Sequence, residues 1–383
     1  MRNDAQWRSL VFTLAQRTQR IDASGIRRVF DLARSLKNPI NLSIGQPDFD
    51  VPEAVKAAAI QAIERGDNKY TPTQGIAELR QQLRQGEHAR SGREWQDDEL
   101  IITSGVSGGL FLALLALINE GDEVIIPDPY FVMYKHLVAM FGGVPVYLDT
   151  YDSDFGIDPQ RLESLLTSRT KLLLLNSPAN PTGRVLSSEE LQAIAAVCAR
   201  HQLPVLSDEI YSAFAYVPAP SMSAYYPHTL VLGGYSKSHG MTGWRLGWAA
   251  GPSHLIQAMA KVQQYSFVCA PSLTQYASLA CPDVNIAPAI ATYQAKRDLM
   301  VEALGDTFRL APPQGAFYMW AQPPEPWTGE SFAEAAIADG VLIIPGSVFS
   351  ERKSHFRMCY TVPDDQLRAG CEKLVALAQR GPQ

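Results

Sequence analysis

From about residue 99 to residue 265 the chain repeats one pattern: a short, continuously apolar run, then a stretch whose apolar positions recur every three or four residues. The runs at 100–103, 123–126, 144–148, 171–175, 204–206 and 229–232 are short and bounded by turn residues, and read as buried strands. Between them the periodicity predicts helices from about residue 106, over 130–141 and 159–167, and from 187 onward. The last of these opens on Ser187 with Glu190 three residues later, a spacing that lets each side chain accept a hydrogen bond from the other's backbone N–H. Leu191, Ile194, Ala195 and Cys198 then fall on one helical face. Strands alternating with helices imply an α/β fold with a mainly parallel sheet flanked by helices on both faces.

Past residue 265 the pattern changes. A long helix is expected over 286–304, strands over 315–321 and 356–361, and a terminal helix over 364–379, which together make a smaller α+β domain. The expected division is an N-terminal segment over 1–44 packing with the small domain, a large domain over 45–285 and a small C-terminal domain over 286–383.

Composition narrows the function classes. At 383 residues, 46% hydrophobic and 19% charged, the chain reads as an ordinary soluble enzyme. Its formal charge of −6 and lack of any basic run disfavour nucleic acid and anionic membrane as partners. The most apolar stretch, 110–118, is about half the length of a spanning helix. Residues 1–8 lack the apolar core of a secretory signal, which makes the cytoplasm the expected location. Five cysteines without C-x-x-C spacing and seven histidines without paired spacing signal neither a disulfide framework nor a metal site.

The candidate chemistry gathers at the ends of the strands. Ser104-Gly105-Val106-Ser107-Gly108-Gly109 lies between the first strand and an apolar helix, where the free N–H groups of a helix start form a phosphate cradle. Its glycine spacing differs from G-x-G-x-x-G, which argues against a dinucleotide. Asn180, in Asn176-Ser177-Pro178-Ala179-Asn180-Pro181-Thr182-Gly183, projects from the carboxyl end of the sheet. Asp208 emerges at the end of a central strand and needs a partner there. A protonated pyridine nitrogen would supply one, and Tyr211 is close enough in sequence to reach the same ligand. Lys237, in Gly233-Gly234-Tyr235-Ser236-Lys237-Ser238-His239-Gly240, is trailed by Arg245. The pairing suits an amine that loses its proton to form a Schiff base and a fixed cation for a phosphate. Arg357 stands in an alternating strand, and its planar fork suits a substrate carboxylate. Each segment alone has a plain reading as a turn, cap, ion pair or snorkelling side chain, but one shared ligand accounts for all of them.

These motifs, in this order, resemble the class I/II aminotransferases, the fold type I family of pyridoxal phosphate enzymes, from about residue 40 to residue 374. The likeness is carried by Ile44-Gly45-Gln46-Pro47-Asp48-Phe49, Lys69-Tyr70-Thr71-Pro72, Pro127-Asp128-Pro129-Tyr130, Asn180-Pro181-Thr182-Gly183 and Ser207-Asp208-Glu209-Ile210-Tyr211. It continues through Ser236-Lys237-Ser238-His239-Gly240-Met241-Thr242-Gly243-Trp244-Arg245-Leu246-Gly247, Gly315-Ala316-Phe317-Tyr318 and Ile344-Pro345-Gly346. With Ser24-Gly25-Ile26-Arg27 ahead of them, they look closest to the prokaryotic branch acting on aspartate or aromatic amino acids.

The resemblance implies a seven-stranded sheet in the large domain and a ping-pong transfer of an amino group from an L-amino acid to a 2-oxo acid such as 2-oxoglutarate. It implies Lys237 as the covalent anchor and proton carrier, Asp208 on the pyridine nitrogen, Asn180 and Tyr211 on the ring oxygen, and Phe131 stacked on the ring. Ser236, Arg245 and the amides of Val106 and Ser107 would hold the phosphate. Tyr70 would reach it from a neighbouring subunit of a homodimer, and Arg357 would clamp the substrate carboxylate with Gly45 closing over it. His239 stands where the family often has another aromatic, which leaves a role for its imidazole open beside plain stacking or packing. A dicarboxylate donor needs a second cation, for which Arg27, Arg28, Lys135 or a partner residue are candidates. The scaffold does not fix which bond breaks, so a C–S β-elimination on the same residues stands as the alternative. A ligand-sensing regulatory module would call for a DNA-binding domain, and no such pattern precedes Gly45.

Overall fold

The computed structural model describes residues 14–23, 25, 26, 29 and 36–382. Half of the expected N-terminal segment, with Ser24, Arg27 and Arg28, lies outside the described residues. Strand β1 (Ile40–Asn41) pairs in parallel with β11 (Val341–Leu342).

Seven strands form the central sheet: β2 (Leu100–Thr103), β3 (Glu123–Asp128), β4 (Val144–Asp149), β5 (Thr170–Asn176), β6 (Val205–Asp208), β7 (Thr229–Gly234) and β8 (Gly247–Ala250). Their spatial order is β2-β8-β7-β6-β5-β3-β4. Every neighbouring pair is parallel except those involving β8, which runs antiparallel to both β2 and β7. The sheet is therefore mixed, with a single reversed strand in the mainly parallel pattern. Side-chain alternation explains the continuous apolar runs. Leu172 and Leu174 face a core shared with the helix Gly105–Leu117, while Leu173 and Leu175 face one shared with the helix Ser188–His201. The reciprocal cap of Ser187 and Glu190 opens the latter helix as expected.

The C-terminal part carries a second, antiparallel sheet in the order β12-β13-β10-β9, from β9 (Arg309–Leu310), β10 (Tyr318–Gln322), β12 (Ile344–Pro345) and β13 (Phe356–Cys359). The helices Ala287–Leu304, Gly329–Ala338 and Asp364–Arg380 accompany it. Its core also takes in Leu42, Tyr211 and Phe214, so the two sheets are joined through buried aromatic packing.

Two expected boundaries move. The helix expected from 130 is Met133–Met140, and ahead of it the Tyr130 N–H is given to the Phe349 carbonyl. The strand expected from 315 starts at Tyr318, because Ala316 sits at φ 57° and donates its N–H to Phe214.

Candidate active site

The carboxyl ends of β2, β5, β6 and β7 open onto one cavity of about 270 Å³, closed from the other side by β10 and β13. Asp208 ends β6 and is 3% exposed. Its Oδ2 accepts a hydrogen bond from Tyr134 Oη at 2.8 Å and its Oδ1 one from the Ile210 N–H at 3.2 Å. Burial outweighs both bonds and pushes its carboxyl up to about 6. Burial and the Asp208 charge together push the Tyr134 phenol well above its ordinary range, so Tyr134 keeps its proton and remains the donor.

Lys237 Nζ donates to the Gly45 carbonyl oxygen at 2.7 Å, and among the described residues it has no carboxylate within ion-pair distance. Burial is the main reason its amine falls to about 8, and the charges of Arg357 and Arg245 add to the effect. The rings of Tyr211 and Phe317 lie 5.9 and 5.8 Å from Nζ, and Tyr211 Oη shares a 2.7 Å hydrogen bond with Tyr318 Oη. Gly45 is glycine for want of room, since a Cβ there would stand 2.3 Å from Tyr318 Oη.

Arg357, on β13, is 1% exposed and sandwiched between the rings of Tyr318 and Phe349, 4.6 and 4.4 Å from its Cζ. Nη1 donates to Asn180 Oδ1 at 3.0 Å and Nη2 to the Ser43 carbonyl at 2.8 Å. No carboxylate of the described residues pairs with it, so a fully desolvated guanidinium sits beside the cavity without a counter-ion. Across the cavity the helix start at Gly105 turns at φ +72°, and a Cβ there would lie 2.7 Å from Arg245 Nη2. Arg245 is steadied by Nη1 donating to the Thr242 carbonyl at 2.9 Å. Val106, Ser107 and Ser236 complete that end.

The cavity thus holds Lys237, Arg245 and Arg357 against one carboxylate, Asp208, among the described lining residues. Such an excess calls for anionic ligands. Pyridoxal phosphate, implied by the resemblance, fits this set. A helix start with an arginine suits its phosphate, a carboxylate without a cationic partner suits its ring nitrogen, and an amine poised to lose its proton suits its aldehyde.

Of the residues expected to hold the cofactor or the substrate's α-carboxylate, all line this cavity except Tyr70. Tyr70 is 84% exposed and borders a surface groove with Ser104 and Phe267. His239 is packed, with Nδ1 bonded to Ser238 Oγ, Nε2 to the Cys281 carbonyl, and its ring edge-on to Tyr235 at 4.9 Å. Lys135 lies 3.8 Å from Glu351 and does not line the cavity. Sequence reasoning missed Tyr134, Tyr318 and Ser43. For Tyr134 the one available signal was its position three residues after Phe131.

A family profile described as Aminotransferase class I and II matches residues 37–374. The putative aminotransferase YugH of Bacillus subtilis is 38% identical, over 93% of this chain and 95% of its own. The aromatic-amino-acid aminotransferase 2 of Thermococcus litoralis is 32% identical, over 94% of this chain and 97% of its own. Among solved structures, the aspartate aminotransferase from Thermus thermophilus with maleate superposes with a TM-score of 0.91 at 35% identity, covering 96% of this chain and all of its own.

Proposed function

The chain belongs to the class I and II aminotransferases, pyridoxal phosphate-dependent transaminases, and from that premise we propose which of its residues run the reaction and on what substrates. The observation that carries the reading is that a half-buried lysine and a buried carboxylate share one cavity without pairing with each other or with any other ion of the described residues. Burying two ionisable groups unpaired is costly, and a ligand that engages both offsets that cost.

Lys237 is the covalent anchor and, once freed, the base that takes the proton from the substrate α-carbon. Its lowered proton affinity supports both roles, because each needs the neutral amine. Pyridoxal phosphate, when bound, supplies a ring that draws off the electron pair left at the α-carbon. Asp208 holds the ring N–H, and Tyr134 keeps that carboxylate in place. Arg245, Ser236 and the amides of Val106 and Ser107 hold the phosphate, Asn180 and Tyr211 bond the ring oxygen, and Phe131 shields the ring from water. Arg357 receives the substrate carboxylate, its fork already oriented by Asn180 and Ser43 and its faces covered by two aromatic rings. Gly45 lets the segment carrying Ser43 close against Tyr318.

The donor is aspartate or an aromatic amino acid and the acceptor a 2-oxo acid such as 2-oxoglutarate. Support comes from the named activities of the relatives. The enzyme works as a homodimer in the cytoplasm with Tyr70 reaching the partner's phosphate site. The exposure of Tyr70 beside Phe267, itself 45% exposed, favours a partner there, and the unpaired cysteines fit a reducing compartment. Residues 45–285 form the cofactor-binding lobe and 286–383 the small lobe.

The test is the visible absorbance of the purified enzyme while single amino acids are added without any oxo acid. Bleaching by aspartate or an aromatic amino acid, with one equivalent of oxo acid released per site and no ammonia, is the expected result. Ammonia and pyruvate released together would instead mark an eliminating enzyme.

A further inference from the structure

Immediately next to Asp208 in the chain stands Glu209, which does not line the cavity and is 3% exposed. Its Oε1 accepts hydrogen bonds from Ser207 Oγ at 2.8 Å, Ser221 Oγ at 3.0 Å and the Met222 N–H at 3.2 Å, and its Oε2 pairs closely with the Arg90 guanidinium. Its backbone is held too, the N–H by the Leu232 carbonyl and the carbonyl by the Ser212 N–H, each at 2.9 Å. Arg90 Nε lies 3.5 Å from a second carboxyl, Glu87, which is also 3% exposed. Glu87 Oε1 accepts from Trp248 Nε1 at 3.0 Å, and the Trp248 indole packs 5.0 Å from the ring of Tyr235, two residues before Lys237. The cluster therefore runs from the peptide after Asp208 to the segment before Lys237.

Its charges are arranged unevenly. Burial pushes the Glu87 carboxyl up and the Glu209 charge adds to that, with Arg90 opposing, so one arginine stands between two buried carboxyls. Asp208 and Glu209 are consecutive buried acids, and an uncompensated charge on Glu209 would make Asp208 cling to its proton. We propose that Arg90 and Glu209 are positioning residues for Asp208. Arg90 neutralises and pins Glu209, which fixes the peptide that aims Asp208 into the cavity and leaves Asp208 as the free negative charge there. The proposal rests on reading Asp208 as the partner of the cofactor ring.

The experiment measures the dissociation constant of pyridoxal phosphate by equilibrium dialysis against apoenzyme, together with kcat, donor KM and thermal unfolding. The variants are Arg90→Met, Arg90→Met/Glu209→Gln and Asp208→Asn. Arg90→Met is expected to weaken cofactor binding by about 10–100-fold and to lower kcat, with donor KM within about threefold because Arg357 is untouched. Adding Glu209→Gln removes the stranded charge and should return the affinity to within about tenfold of the parent, although the lost stability does not return. Parent affinity in Arg90→Met, or a double variant that binds no better than the single, would make the cluster merely structural and overturn the proposal. Where Arg90→Met does not fold, Arg90→Lys keeps the charge and gives up the fork. A loss of about 3–10-fold is then expected, and parent affinity alongside lost stability overturns the proposal equally. Asp208→Asn with parent affinity would instead overturn the underlying reading of Asp208.

Discussion

A buried lysine and a half-buried one attach to the same motif over residues 44–49, and they are treated in opposite ways. Lys296, on the helix Ala287–Leu304, is 6% exposed and has Asp48 Oδ2 at 2.6 Å, with Tyr293 Oη donating to the other oxygen of that carboxylate. Among the described residues Lys237 finds only the Gly45 carbonyl, at 2.7 Å. The first arrangement satisfies a charge and latches the motif to the small-sheet side of the molecule. The second withholds a counter-ion and leaves an amine that sheds its proton near 8. Enclosure without a carboxylate, rather than enclosure as such, is what favours the neutral amine.

The strongest way to break this contrast is to remove each lysine in turn. Lys237→Ala should lower turnover by at least about 10³-fold, whereas Lys296→Ala should leave it within about tenfold, both measured by steady-state amino transfer with saturating cofactor. A comparable collapse in both would erase the distinction.

Next in size is Asp208→Asn, expected to cut turnover by about 10²-fold or more through loss of the ring partner. Its effect on the apoenzyme runs the other way. Because burial raises the Asp208 carboxyl to about 6, the stability its protonated form contributes is present below its ordinary value of 3.8 and is lost as pH rises through 6. The asparagine variant escapes that loss and should unfold with about 2–3 kcal/mol more free energy above pH 6, read from denaturant melts of apoenzyme at pH 4 and pH 7.5.

Lys296→Met sharpens the contrast from the structural side. It should cost about 1–3 kcal/mol of stability, less than a fully buried pair because Asp48 is 29% exposed, and should slow turnover only severalfold, by urea titration and kinetics on one preparation. Smallest is Tyr134→Phe, which removes one hydrogen bond from Asp208 and should weaken cofactor binding by about 3–10-fold with donor KM unchanged.

Much of this was legible in the residues themselves. The buried strands announced themselves as apolar runs, and most of the expected cavity residues lay in glycine- or proline-containing motifs, Asp208, Tyr211 and Arg357 apart. Three kinds of feature were not. Strand β8, Gly-Trp-Ala-Ala, has little strand propensity of its own and is held by its neighbours β2 and β7. The helices Glu53–Arg65 and Ala77–Ser91 bury only two and three side chains each, too thin a stripe for periodicity to stand out. Contacts made across the fold left no trace in spacing. Tyr134 meets Asp208 from 74 residues away, and Arg90 meets Glu209 from 119 away. Tyr70 was singled out by its motif, yet it stands exposed on the surface, apart from the cavity.

The most direct test of the contrast between the lysines is borohydride reduction of the cofactor-loaded enzyme, followed by peptide mass mapping. The account predicts one cofactor-derived mass per chain, on the peptide bearing Lys237, and an unmodified peptide bearing Lys296. Label on Lys296, or on no lysine at all in enzyme that is active before reduction, would contradict it.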